Sequence, residues 1–134
     1  MVTDRHVMSA PDNGSIHEWI THLFKIIDSK SAPDFAEYFR NDGRFVYGSN
    51  APIYGKQAIC DYVDGFFGTL ESIQHTVFDA CMISNKVFGE LEVTYVLKDG
   101  RHFTFPAFDL IKMDGELIQD FLIYVDPSPM FSDA

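Results

Sequence analysis

The chain has 134 residues, a formal net charge of −10 and a hydrophobic fraction of 46%, with thirteen Phe and six Tyr. That length suits one domain with a single core and room for a pocket. No run approaches the ~18 apolar residues that cross a bilayer, and the negative charge, with no Lys/Arg cluster, argues against nucleic acid or a membrane surface as partner.

Residues 1–14 are polar, with Pro, Asn and Gly and no sustained period, and read as a flexible arm in which His6 is a solvated side chain. Ser15 and Glu18 form a capping-box signature. Ile16, Trp19, Ile20, Leu23, Phe24, Ile26 and Ile27 then recur at helical spacing, which predicts a helix over Ile16–Ile27. Ser31-Ala32-Pro33-Asp34 repeats the start signal for a short second helix with Phe35, Tyr38 and Phe39 as its apolar stripe. A brief strand over Arg44–Tyr47, a turn-rich loop "GSNAPIYG" and a third helix over Lys56–Phe67 follow.

Four strands complete the chain: Gln74–Ile83, Val87–Leu97, His102–Met113 and Glu116–Val125. Ser84-Asn85, Asp99-Gly100 and Asp114-Gly115 are the turns between them. The order α-α-β-α-β-β-β-β implies an α+β fold in which one face of an antiparallel sheet packs on the helices. The domain spans residues 15–126, and residues 127–134 form a tail. Cys60 and Cys81 lie in apolar stretches without CxxC or Cys/His spacing, the pattern of buried free thiols in a reducing, cytoplasmic setting.

Asp109 stands out in this pattern. It falls in the middle of an apolar strand, on the same alternation face as Phe105, Ala107, Ile111 and Met113. A carboxylate on a buried face needs a reason, unless a bulge at Pro106 turns it outward or it pairs with His102 or Lys112.

The element order, together with "DSKSAPDFAEYFRNDGRFVYG", "YGKQAICDYV", "SIQHTVFDACMISN" and "MDGELIQDFLIYVD", resembles the nuclear transport factor 2-like superfamily and, within it, the SnoaL-like proteins. The resemblance implies a cone-shaped, curved antiparallel sheet closed by three N-terminal helices around an apolar pocket, and a homodimer through the exposed sheet face. Against ketosteroid isomerases, "AFDLIKMDGEL" places Asp109 where that family holds a protonated aspartic acid in its oxyanion hole. That family's general base falls near Tyr47 and its oxyanion tyrosine near Leu23. Against limonene epoxide hydrolases, the Arg and two Asp positions fall on Val93, Tyr95 and Ile123, which excludes their chemistry. Against scytalone dehydratases, Asp28, Tyr47 and His75 match an Asp, a Tyr and a His, whereas the second Tyr and second His fall on Ile27 and near Leu97.

The catalytic candidates are therefore Asp28, His75, Asp109 and Tyr47. An aspartate on one imidazole nitrogen fixes the tautomer and leaves the other nitrogen as a base near neutral pH; alternatively, Asp28 caps the backbone at Lys30 or Ser31. Tyr47, Tyr54, Tyr62 and Tyr95 offer hydroxyls to a carbonyl while their rings line the pocket. Trp19, Phe24, Phe66, Phe67 and Phe105 read as wall and core. His17 and His22 are five residues apart, poor spacing for shared ligation, and no other Cys/His cluster or phosphate loop suggests a metal or cofactor. Glu90, Glu92 and Thr94 read as a polar outer or subunit-facing surface.

The expected function is a cofactor-independent dehydratase or isomerase/cyclase acting on a small cyclic apolar carbonyl compound of polyketide, terpenoid or steroid-like type. The alternative is a non-catalytic small-molecule binder or dimeric assembly protein of the same fold.

Overall fold

The computed structural model describes residues 9–131; the expectations for residues 1–8, His6 among them, and for residues 132–134 lie outside this range. The first helix, α1, spans Ile16–Asp28. Ser15 precedes it, but its side chain makes no capping bond. The turn before the helix is tied instead by Asp12, whose Oδ1 accepts the N–H groups of Gly14 and Ser15 at 2.9 and 3.0 Å. The helix is held by its apolar face, with Ile16, Trp19, Ile20, Leu23, Phe24 and Ile27 buried.

Helix α2 (Ala32–Ala36) is capped by Ser31, whose hydroxyl accepts the Asp34 N–H. It stops before Tyr38 and Phe39, contrary to the predicted helical stripe. Phe39 opens strand β1 (Phe39–Tyr47) instead, where its ring joins Phe35, Phe45 and Phe121 in a mutually packed cluster. Edge-to-face pairs of this kind add about 0.5–1.5 kcal/mol each beyond burial, enough to outweigh one more turn of helix. A two-residue strand β2 (Ile53–Tyr54) lies within the predicted loop, followed by α3 (Lys56–Gly68).

Strands β3 (Leu70–Ile83), β4 (Lys86–Leu97), β5 (His102–Asp114) and β6 (Leu117–Tyr124) form the antiparallel meander that the Ser84-Asn85 and Asp-Gly turns predict. The six strands lie in the order β2-β1-β6-β5-β4-β3. The sheet is mixed and does not close: β1 runs parallel to β6, a correction to the all-antiparallel expectation. A strand separated from its neighbour by the whole meander has no hairpin to dictate its direction. The predicted tail begins with a 3-10 turn, Ser128–Phe131, that buries Met130.

One sheet face carries the helices, with α1 on β3 and α3 on β1. Gly89 lets α1 come close: a Cβ there would sit 2.9 Å from Cδ1 of Ile20. On the opposite face, Val46, Leu122, Leu110, Phe88 and Cys81 are partners in register across five strands and form one apolar row. Cys81 is exposed there and Cys60 half-buried, so neither is the buried thiol predicted. The row on one side of this stripe holds Arg44, Asp120, Lys112, Lys86 and Ile83, and the row on the other side holds Tyr124, Phe108, Glu90 and Asp79.

Candidate active site

Three local features bring the end of α1 to the sheet. The helix ends at Asp28; Lys30 adopts a left-handed conformation (φ 60°); and its Nζ donates to the carbonyls of Leu70 and Glu71 at 2.9 and 3.2 Å. This ties the α1–α2 turn to the start of β3. Alternation along β3 then directs Ile73 and His75 to the helix side.

Asp28 spends both carboxylate oxygens on His75. Its Oδ2 accepts the backbone N–H at 2.9 Å, and its Oδ1 lies 2.6 Å from Nδ1. It does not cap Lys30 or Ser31; the N–H groups beyond the helix go to the carbonyls of Lys25, Ile26 and Ile27. A carboxylate accepts only, so Nδ1 carries a proton, and in the neutral ring it is Nε2 that keeps its lone pair. The His75 side chain is 10% exposed and that of Asp28 24%. Phe24, one turn earlier on α1, stacks on the imidazole with ring centroids 4.4 Å apart and planes at 21°.

His75 lines a cavity of about 50 Å³ between the sheet and the helices. Phe24, Tyr47, Tyr62, Phe66, Phe67, Tyr95 and Asp109 line it too. Asp109 points inward because the β4–β5 register runs unbroken through Pro106, from Lys86↔Lys112 to Val96↔His102. Its cross-strand partners are Gly89 and Ile123, neither with a polar side chain to offer. The residue is 1% exposed, and its Oδ1 has no hydrogen-bond partner among the described residues. Burial raises its pKa well above the ordinary carboxylate range, which favours the protonated carboxyl, a hydrogen-bond donor.

Tyr47 and Tyr95 share a buried hydroxyl–hydroxyl bond of 2.7 Å. Burial pushes Tyr47 up to about 12, and Tyr95 also lies above the ordinary tyrosine range, again chiefly through burial, with the neighbouring Tyr47 adding to it. Both hydroxyls therefore stay protonated: one proton makes the mutual bond and the other is left to donate. Tyr62, on α3, accepts from Asn50 Nδ2 at 2.8 Å.

Three predicted wall residues lie elsewhere. Trp19 is in the core, edge-to-face with Tyr38; it sits five residues before Phe24, roughly 140° round the helix. Tyr54 is 64% exposed on β2. Phe105 does face inward, but it packs against Tyr95 and Phe103 and does not reach the cavity. The sequence reading missed Ile73, Leu91 and Val93 as wall residues. The alternation that carries His75 inward marks Ile73, and Val93 is the direct cross-strand partner of His75. Phe35 and Phe45 gave no signal beyond hydrophobicity. Among the described residues, no group of three His, Cys, Asp or Glu side chains is placed to hold a metal ion, and no helix is long and apolar enough to cross a membrane.

A family model described as SnoaL-like domain matches residues 20–121. No curated protein matches the chain by sequence. Among solved structures, a protein from Jannaschia assigned as a SnoaL-like polyketide cyclase aligns with a TM-score of 0.76 at 15% identity, over 97% of this chain and 95% of that one. A hypothetical protein with a ketosteroid isomerase-like fold from Catenulispora acidiphila, in complex with trimethylamine, gives 0.73 at 20% identity over 78% and 82%. An epoxide hydrolase of the LEH-like type from M. tuberculosis gives 0.75 at 12% identity over 90% of each chain. At these identities the likeness establishes the fold alone.

Proposed function

This chain belongs to the SnoaL-like family, and from that premise we propose that it is a cofactor-independent acid/base enzyme, a dehydratase or isomerase/cyclase, acting on a small cyclic apolar carbonyl compound. The observation that carries the reading is the Asp28–His75 pair, whose imidazole opens onto an apolar cavity that also holds Asp109. His75 Nε2 takes a proton from the carbon next to the carbonyl, and the electron pair moves onto the carbonyl oxygen. Protonated Asp109, or the free hydroxyl proton of the Tyr47–Tyr95 pair, donates to that oxygen as charge builds. The carbonyl then re-forms as the enolate pair flows back. Either a C=C bond forms while the neighbouring C–O bond breaks and the imidazolium, steadied by Asp28, protonates the departing hydroxyl to water, or the pair takes the imidazolium's proton at another carbon of the same substrate.

The cavity is smaller than the roughly 150 Å³ that admits benzene. A cyclic substrate therefore enters only as the side chains lining the cavity give way. No Lys or Arg lines the space, so the substrate carries no negative charge there.

A thermal-shift screen with cyclic enones and hydroxyketones tests the reading. A binder at a hundred times its Kd stabilises the fold by about 2.7 kcal/mol, and the hits are then assayed for turnover. Binding without turnover by any hit would reject catalysis. The second reading, a non-catalytic binder, is favoured by one feature: an unpaired carboxyl enclosed by aromatic rings also suits a small ammonium ion, the class bound by the Catenulispora protein. Trimethylamine belongs in the same screen, and stabilisation by it alone would select that reading.

We further propose that the apolar row of the outer face meets a second copy of the chain. With a twofold axis in the sheet plane along that row, the flanking rows exchange places. Lys86 then faces the partner's Glu90, and the partner's Lys86 faces Glu90. Lys86→Glu is expected to weaken the dimer at least about tenfold and Lys86→Glu with Glu90→Lys to restore it, read by light scattering on a sizing column. A wild-type monomer, or a double variant no better than the single, would reject this arrangement.

A further inference from the structure

We propose that Phe24 is a positioning residue that fixes the imidazole plane of His75, so that one turn of α1 forms a two-point clamp on the candidate base. The inference rests on the reading of His75 as the base, but its test needs no turnover. Phe24 and Asp28 are four residues apart and so share a helix face. Asp28 holds the imidazole at one nitrogen, and the His75 backbone N–H holds the carboxylate in turn, through Oδ2. This holds Nδ1, and the Cβ–Cγ bond holds the ring atom beside it.

A ring held at Cγ and Nδ1 still rocks about the Cβ–Cγ bond, which stretches the Nδ1–H···Oδ1 bond and turns Nε2 away from the cavity. The sheet supplies nothing to stop it. The cross-strand partner of His75 is Val93, and its same-face neighbours on β3 are Ile73 and Val77, all apolar and none with a flat face. The flat face comes from Phe24, 4.4 Å away and within 21° of parallel. Phe24 is itself 4% exposed, on the buried face of α1. A leucine there fills similar space but offers no plane, so the rocking returns and Nε2 points at the cavity only part of the time. A misplacement of about 1 Å in a reacting group costs up to about a hundredfold in rate, so the second contact matters as much as the hydrogen bond.

The test is ring-nitrogen NMR on protein labelled at histidine, with His75→Gln assigning the signals. In the wild type, Nδ1 of His75 is protonated, Nε2 is bare, and the Nδ1 proton exchanges slowly with water. Phe24→Leu is expected to mix the two tautomers and broaden that proton signal, and Phe24→Tyr to keep both as in the wild type. Should Phe24→Leu fail to fold, Phe24→Met supplies flexible apolar volume without a plane. A folded Leu or Met variant with wild-type tautomer and exchange would overturn the proposal. Loss of the signal in Phe24→Tyr as well would reduce Phe24 to packing. Absence of turnover leaves these signals in place, so this inference and the acid/base reading fail separately.

Discussion

His75→Gln is expected to lower kcat by about 10²–10⁴-fold on any substrate the screen identifies, with KM changed by less than about threefold. Glutamine keeps polarity and approximate length but offers no basic nitrogen. Asp28→Asn is the finer instrument. Its amide carbonyl can satisfy only one of the two N–H groups that Asp28 now accepts from, the backbone N–H or Nδ1–H of His75. If the carbonyl goes to the backbone, the NH₂ meets Nδ1 and drives the proton to Nε2, the wrong tautomer for a base facing the cavity. A comparable loss, about 10²–10⁴-fold, is expected with little change in binding. Turnover surviving both substitutions would remove the dyad from the mechanism.

Asp109 yields the other large effect, visible in stability as well as rate. Its folded pKa is raised by burial, so the folded chain holds a proton that the unfolded chain releases above the ordinary value of 3.8. The stability linked to this proton is fully present below that value and is lost as pH rises toward the folded pKa. The slope is about 1.4 kcal/mol per pH unit across that window. Asp109→Asn carries no titrating proton, so denaturant curves for variant and wild type should diverge steadily above about pH 4, with the variant increasingly the more stable. Parallel curves would mean that the carboxyl ionises in the fold without penalty. For catalysis, Asp109→Ala removes the donor outright and is expected to cost about 10²–10³-fold in kcat, whereas the amide of Asn recovers part of that loss.

Much of this was legible in the sequence because it depends on local chemistry. The two Asp-Gly turns fix the hairpins around β5, and with them the alternation that carries Asp109 to the inner face; His75 reaches the same face only through the irregularity in β3 between Val77 and Asp79, which alternation counted from Ser84-Asn85 does not foresee. The pairing of Asp28 with His75 was suggested by resemblance, since 47 residues separate them and no local pattern joins them. The misreadings were of partners and angles. Ser15 has the residue type of a cap, but Asp12 already ties the turn it would serve. Trp19 and Phe24 both belong to the apolar side of α1 but lie roughly 140° apart round it, and the spacing does not say which of the two edges meets the cavity. Phe105 obeys alternation but sits behind Tyr95, and strand periodicity carries no information about depth. Cys81 lies in an apolar stretch that proves to face outward.

The parallel pairing of β1 with β6 bears on how the pocket comes into being. The meander closes through neighbouring hairpins, whereas the Arg44–Asp120 ion pair joins strands 76 residues apart. Long-range parallel pairing pays its loop-closure entropy before any contact rewards it, and so tends to form late. Tyr47 and Ile123 are opposite each other across this seam and both line the cavity. The cavity is then complete only once β1 has docked against β6. A ligand seated there acts as a bolt across that seam, holding together the two strands that the sequence keeps furthest apart.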